Sequence, residues 1–136
     1  MTAFLDTNVL LYSISDVPDE QAKRERARAL IESGDIALSL QVLQEFYWQA
    51  TKANRSWALA PETAQGMIQA WRRFPVQETT LDLLDLGFKI QRRHRFGFWD
   101  SMIVAAARAQ GCELLWSEDM DDGRIVDRMQ IANPFR

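Results

Sequence analysis

The chain has one cysteine, Cys112, and one histidine, His94, among its 136 residues. No internal disulfide can form, and neither a cysteine-based metal site nor a paired-histidine nuclease centre can be built. A Ser-His-Asp triad would have to be centred on His94, which sits in a basic, solvated run. Cys112 adjoins an apolar run and reads as a small core residue. Long apolar runs are also missing. Nothing approaches the roughly 20 residues of a membrane span, and no basic stretch followed by an apolar signal segment opens the chain, so the expectation is a cytoplasmic protein with no membrane contact. Positive charge is not in excess: 16 Lys and Arg stand against 19 Asp and Glu, a net charge of -3, which argues against bulk attraction to nucleic acid. Repeats, low-complexity tracts and linkers are absent too. What is left is a single domain over 1–136, long enough to bury roughly two thirds of the surface its unfolded form exposes.

Short apolar runs alternate with amphipathic stretches along the chain. Met1 to Leu5, Ile36 to Leu38, Leu114 to Trp116 and, more weakly, Met129 to Ala132 read as strands. Helices are expected from Pro18 to Gly34, after Ser39, from Pro61, after Thr79 or Thr80, and from Asp100 to the stop at Gly111. This order implies an α/β fold, a three-layer α/β/α sandwich around a mainly parallel sheet. Four acids stand at its junctions. Asp6 lies at the exit of the first strand, where Asp6-Thr7-Asn8 favours a turn or cap. Glu45 is about a turn inside the helix after the second strand, Asp100 is in the first turn of its helix, and Asp119 follows the strand ending at Trp116. In such folds the ligand crevice lies beyond the carboxyl ends of the strands, where helix starts also gather, so the four can converge. Converging without a cation, some would be forced to bind protons. An all-oxygen set suits Mg2+ or Mn2+ better than Zn2+.

Two basic stretches stand out. Lys89, Arg92, Arg93, His94 and Arg95 precede Asp100 and offer phosphate contacts or a solvated helix end; Phe96, Phe98 and Trp99 beside them stack on bases if exposed, though core packing is the stronger expectation. Lys23 to Arg28 reads as a solvated face or a partner contact. Phe46, Tyr47, Trp48, Trp57 and Trp71 are expected mostly in the core, with an excess of aromatic surface left for a subunit interface.

Taken together, Phe4-Leu5-Asp6-Thr7-Asn8-Val9-Leu10, Glu45, Phe98-Trp99-Asp100-Ser101-Met102-Ile103-Val104-Ala105-Ala106-Ala107, Leu115-Trp116-Ser117-Glu118-Asp119-Met120 with Gly123, and Asn133-Pro134-Phe135 resemble the PIN-domain family. Within it they resemble the VapC-type ribonuclease toxins of bacterial toxin-antitoxin pairs. The resemblance runs over nearly the whole chain and implies a PIN-like fold. By it, Asp6, Glu45, Asp100 and Asp119 are the catalytic and metal-binding acids, and Thr7, Asn8 and Ser117 the small polar side chains that support them; the family often has threonine where Ser117 stands. Asp122, with Glu118 and Asp121, is a candidate extra carboxylate, and Arg92, Arg93 and Arg95 are candidate RNA contacts. The implied activity is RNA cleavage by water activated on one or two Mg2+ or Mn2+ ions. The implied partners are RNA, a small antitoxin and a second copy of the chain. Two rivals remain: a non-catalytic PIN-like RNA-binding or assembly module, and a haloacid-dehalogenase-like phosphatase, which has a second acid where this chain has Asn8.

Overall fold

The computed structural model describes residues 2–53 and 57–136. Met1, part of the expected first strand, lies outside them. Strand β1 is Ala3–Leu5, β2 Ile36–Ser39, β3 Val76–Gln77, β4 Leu114–Trp116, β5 Ile125–Val126 and β6 Met129–Ala132. The helices are α1 (Thr7–Ser13), α2 (Gln21–Glu32), α3 (Leu40–Ala50), α4 (Pro61–Trp71), α5 (Leu81–His94) and α6 (Phe98–Ala109), and a 3-10 turn at Pro18–Glu20 precedes α2. The six strands form one sheet in the order β3-β2-β1-β4-β6-β5. All neighbours run parallel except β5 and β6.

The central strands are buried on both faces, which is why Ala3-Phe4-Leu5 and Ile36-Ala37-Leu38 read as unbroken apolar runs. From β1 the chain steps outward to β2 and then β3, and the return from β3 to β4 reverses direction. Right-handed crossovers put helices of the outward steps on one face and those of the return on the other. The contacts agree: α1 packs on α2 and α3, and α3 on α4, whereas α5 packs on α6 and α6 lies over β2, β3 and β4. Phe4, Leu38, Phe46, Ile103, Leu115 and Ile131 are fully enclosed between these layers. The reversal leaves a topological switch between β1 and β4, where a doubly wound sheet opens its crevice.

Three local features differ from the sequence expectation. Residues 7–13 form α1, where only a turn is legible, because Asp6 caps the first N–H group and the chain enters a helix at once. Strands β3 and β5 have two residues each and show no periodicity in sequence. Helix α6 begins at Phe98 with Gly97 as its N-cap, so Asp100 is its third residue.

Candidate active site

Asp6 ends β1 and caps α1. Its backbone N–H donates to the Trp116 carbonyl at 3.0 Å, extending the β1–β4 pairing one residue past the strands. Its Oδ1 accepts the Thr7 N–H at 2.7 Å and its Oδ2 accepts the buried Ser117 hydroxyl at 2.8 Å. Both carboxylate oxygens are thus fixed across the switch point, one from each neighbouring strand exit. Thr7 turns its hydroxyl the other way and donates to Glu45 Oε2 at 3.0 Å.

Glu45 is carried by α3, whose start is set by Ser39: its Oγ accepts the Val42 N–H at 3.2 Å. Its other oxygen accepts Gln41 Nε2 at 2.8 Å, and the same amide donates to the Trp99 carbonyl at 3.2 Å. Gln41 therefore ties Glu45 to the first turn of α6, which carries Asp100. Sequence reading misses Gln41; its signal is the i, i+4 spacing to Glu45 on one helix face. Asp119, on the loop after β4, accepts a short hydrogen bond from the Asn8 amide. By side chain, Thr7 holds Glu45, Asn8 holds Asp119 and Ser117 holds Asp6.

The four acids line one cleft of about 250 Å3 together with Thr7, Asn8, Leu11 and Gln49. Burial and crowding show in two of them. Burial, opposed by the Ser117 and Thr7 hydrogen bonds and reinforced by the charges of Glu45 and Asp100, pushes the Asp6 carboxyl up from 3.8 to about 6. Burial, then the charges of Glu45 and Asp119, raises Asp100 as well. The acids repel one another across a shared space, and a hard cation offsets that repulsion. Among the described residues, however, no three His, Cys, Asp or Glu side chains stand close enough to enclose an ion directly. The oxygen donors fit Mg2+, which keeps several of its own waters and uses only one or two carboxylates.

The neighbouring acids are engaged elsewhere. Asp122 accepts the Asn133 N–H at 2.7 Å and pairs with Arg136 at 2.9 Å, so it fastens the C-terminal segment and does not line the cleft. Asp121 pairs with Arg124 at 3.2 Å. Glu118 accepts the Tyr12 hydroxyl at 2.7 Å and a short bond from Lys23; burial raises its pKa, but these two donors bring it to a net lowering. Arg92 and Arg93 line a different cleft, and Arg95 lines neither.

Two other expectations are refined. The Lys23 to Arg28 stretch keeps a solvated face, with Arg26 and Arg28 exposed, but it also ties α2 down: Arg24 donates to Ser15 O at 2.7 Å, Arg26 to Pro134 O at 3.1 Å and Arg28 to Ser13 O at 2.8 Å. The aromatics divide by helix face. Phe46 and Trp71 are buried edge-to-face at 4.7 Å, so Trp71 is not interface surface, while Trp48 is 65% and Trp99 67% exposed, contrary to a core role. Phe96 and Phe98 pack partly buried against the core.

Residues 3–128 match the family model of the PIN domain. Among solved structures, the chain is similar to a toxin-antitoxin complex from Klebsiella pneumoniae at 20% identity, with a TM-score of 0.71 and 97% of each chain covered. It is similar to the DNA-bound VapBC of Salmonella typhimurium at 20% identity, with a TM-score of 0.68 and 98% of each chain covered. It also resembles Mycobacterium tuberculosis VapC20, described as a Sarcin-Ricin loop cleaving toxin, at 22% identity and a TM-score of 0.67, covering 88% of this chain and 91% of that one. Likeness at these identities concerns the fold. Comparison with curated protein sequences finds no match.

Proposed function

This chain belongs to the PIN-domain family, and on that footing we propose that it is a divalent-metal-dependent endoribonuclease, the cytoplasmic toxin of a type II toxin-antitoxin pair. The observation that carries this reading is the single cleft shared by Asp6, Glu45, Asp100 and Asp119, at the sheet's switch point.

Asp6, Glu45, Asp100 and Asp119 would hold one or two Mg2+ or Mn2+ ions. Such an ion, when bound, makes hydroxide available near neutral pH and offsets charge on a phosphodiester. The chain supplies the rest. Ser117 and Thr7 fix the Asp6 carboxylate in one orientation, so its lone pairs are aimed before any ligand arrives. Thr7 and Gln41 do the same for Glu45, and Asn8 for Asp119. Asp100 is exposed in the first turn of α6.

Asn8 argues against the phosphatase reading. A second acid is needed there, and the side chain present instead donates to Asp119. Helix α1 begins at Thr7, which makes Asn8 part of the support for the other carboxylates and not a proton carrier. The relative described as a toxin-antitoxin complex supports a small inhibitory partner. An arginine or lysine from such a partner would pair with the cleft's acids in place of the metal. A homodimer is part of the same proposal. Its apolar contact would draw on Trp48 and Leu40, which are exposed beside a groove between α3 and α4.

The test sets labelled single-stranded RNA beside a small phosphate ester, each with Mg2+ or Mn2+ and with excess chelator. Cleavage of the RNA alone, abolished by chelator, is the expected result. Ester hydrolysis without RNA cleavage would overturn the proposal in favour of the phosphatase, and no turnover of either in favour of a binding module.

A further inference from the structure

A cleft lined by four carboxylates repels a polyanion, so a ribonuclease of net charge -3 must grip its substrate elsewhere. The cations of α2 are occupied with backbone carbonyls and Glu118. Those of α5 are placed differently. A second cleft, about 650 Å3, opens between α5, the end of α6 and the β5–β6 turn, and it is lined by Lys89, Arg92, Arg93, His94 and Arg108 with one acid, Asp127. Lys89, Arg92 and Arg93 recur at i, i+3 and i+4 on one helical face. Asp127 pairs with Arg108 at 2.7 Å and with Arg93 at 3.7 Å, which holds two guanidinium groups side by side. Two adjacent guanidiniums match the oxygens of a phosphate. A second observation points the same way: His94 Nε2 is a buried ring nitrogen with no hydrogen-bond partner among the described residues. His94 lines the cleft, and a small turn of its ring would let an oxygen brought there satisfy it.

We infer that this basic cleft binds phosphates of the RNA backbone away from the cut, anchoring the strand while the acidic cleft acts on it. The inference rests on the ribonuclease reading. Helix α6 carries Asp100 in its first turn and Arg108 in its last, eight residues or about 12 Å along the axis. Only an RNA longer than the few nucleotides around the cut reaches both clefts.

The experiment measures binding of a labelled 12-nucleotide single-stranded RNA to the full chain by fluorescence anisotropy over a salt series, in chelator so that nothing is cut. Replacing Arg92 and Arg93 together by alanine should make the dependence of log K on log salt shallower by about 0.7 per lost contact. Asp127→Asn should do the opposite, tightening binding, because it removes the cleft's one negative charge while the amide oxygen still accepts from a guanidinium; asparagine tolerates the positive φ of 55° at that position. A merely structural role predicts weakening in both. The His94 imidazole NMR signals should shift with the 12-mer and not with a trinucleotide. Equal salt slopes, weaker binding by Asp127→Asn, or a His94 signal that responds to inorganic phosphate but not to RNA would each overturn the inference. If the unaltered chain binds no RNA in chelator yet cleaves it with Mg2+, or binds it and the variants match it, this inference alone fails; if it neither binds nor cleaves RNA, the ribonuclease reading fails with it.

Discussion

Burial and the charges of Glu45 and Asp100 lift the Asp6 carboxyl from 3.8 to about 6, against the pull of its two hydrogen bonds. A group whose pKa is higher folded than unfolded stabilises the fold most when protonated. Its contribution is complete below 3.8 and disappears as pH rises through 6. The metal-free chain should therefore be more stable at pH 5 than at pH 7, by about 1 kcal/mol from this group. Asp100 adds in the same direction. Thermal melts in chelator check the sign, and Asp6→Asn should flatten the trend, raise the melting temperature at pH 7 and lower RNA cleavage by orders of magnitude. Gln41→Ala is the subtler test, since its amide bridges Glu45 and the α6 start. Cleavage should fall about tenfold or more, the size of effect expected when a group orienting a metal ligand is lost, and calorimetric titration should show weaker Mn2+ binding without loss of the fold.

At the scale of elements, α5 packs against α6, the helix that carries Asp100. Gly87 faces Met102 so closely that an added Cβ would lie 2.3 Å from its sulfur. Helix α5 then ends on Arg95 with φ 64°, a left-handed conformation in which a side chain costs about 1 kcal/mol relative to glycine. Arg95→Gly should raise the melting temperature by about 2–4 °C; no change would show that the strain is relieved elsewhere. Strand exits and helix ends were legible in sequence because their signals are local: Asp6, Ser39, Thr80 and Gly111 mark them within a residue or two. Other features were not. Phe46, Tyr47 and Trp48 are consecutive on α3, so they cannot all face the core; which one turns outward is decided by where α4 packs. The two-residue strands β3 and β5 exist only through their neighbours' ladders. The acids could be named from sequence, but their division among Thr7, Asn8, Ser117 and Gln41 depends on side-chain directions that emerge only when four elements meet.

Across the whole molecule, three charged groups stand apart among the described residues: four carboxylates at the switch point, α2 cations tied to neighbouring carbonyls, and α5 cations around a cleft of their own. No helix among the described residues is long and apolar enough to cross a membrane. If an antitoxin side chain and the metal share the acidic cleft, inhibition measured on the coexpressed complex should weaken as Mn2+ is raised at constant ionic strength. Inhibition indifferent to Mn2+ would place the inhibitor elsewhere. The central claim is that these four carboxylates act through a divalent ion on RNA. Its most direct test is the initial rate of cleavage of one labelled RNA as Mg2+ is titrated, for the unaltered chain and for Asp100→Asn. The rate should rise to saturation with Mg2+, vanish in chelator, return when the ion is restored, and be lower by at least a hundredfold in the variant. Cleavage that persists in exhaustive chelation, or a variant as fast as the parent, would contradict the account.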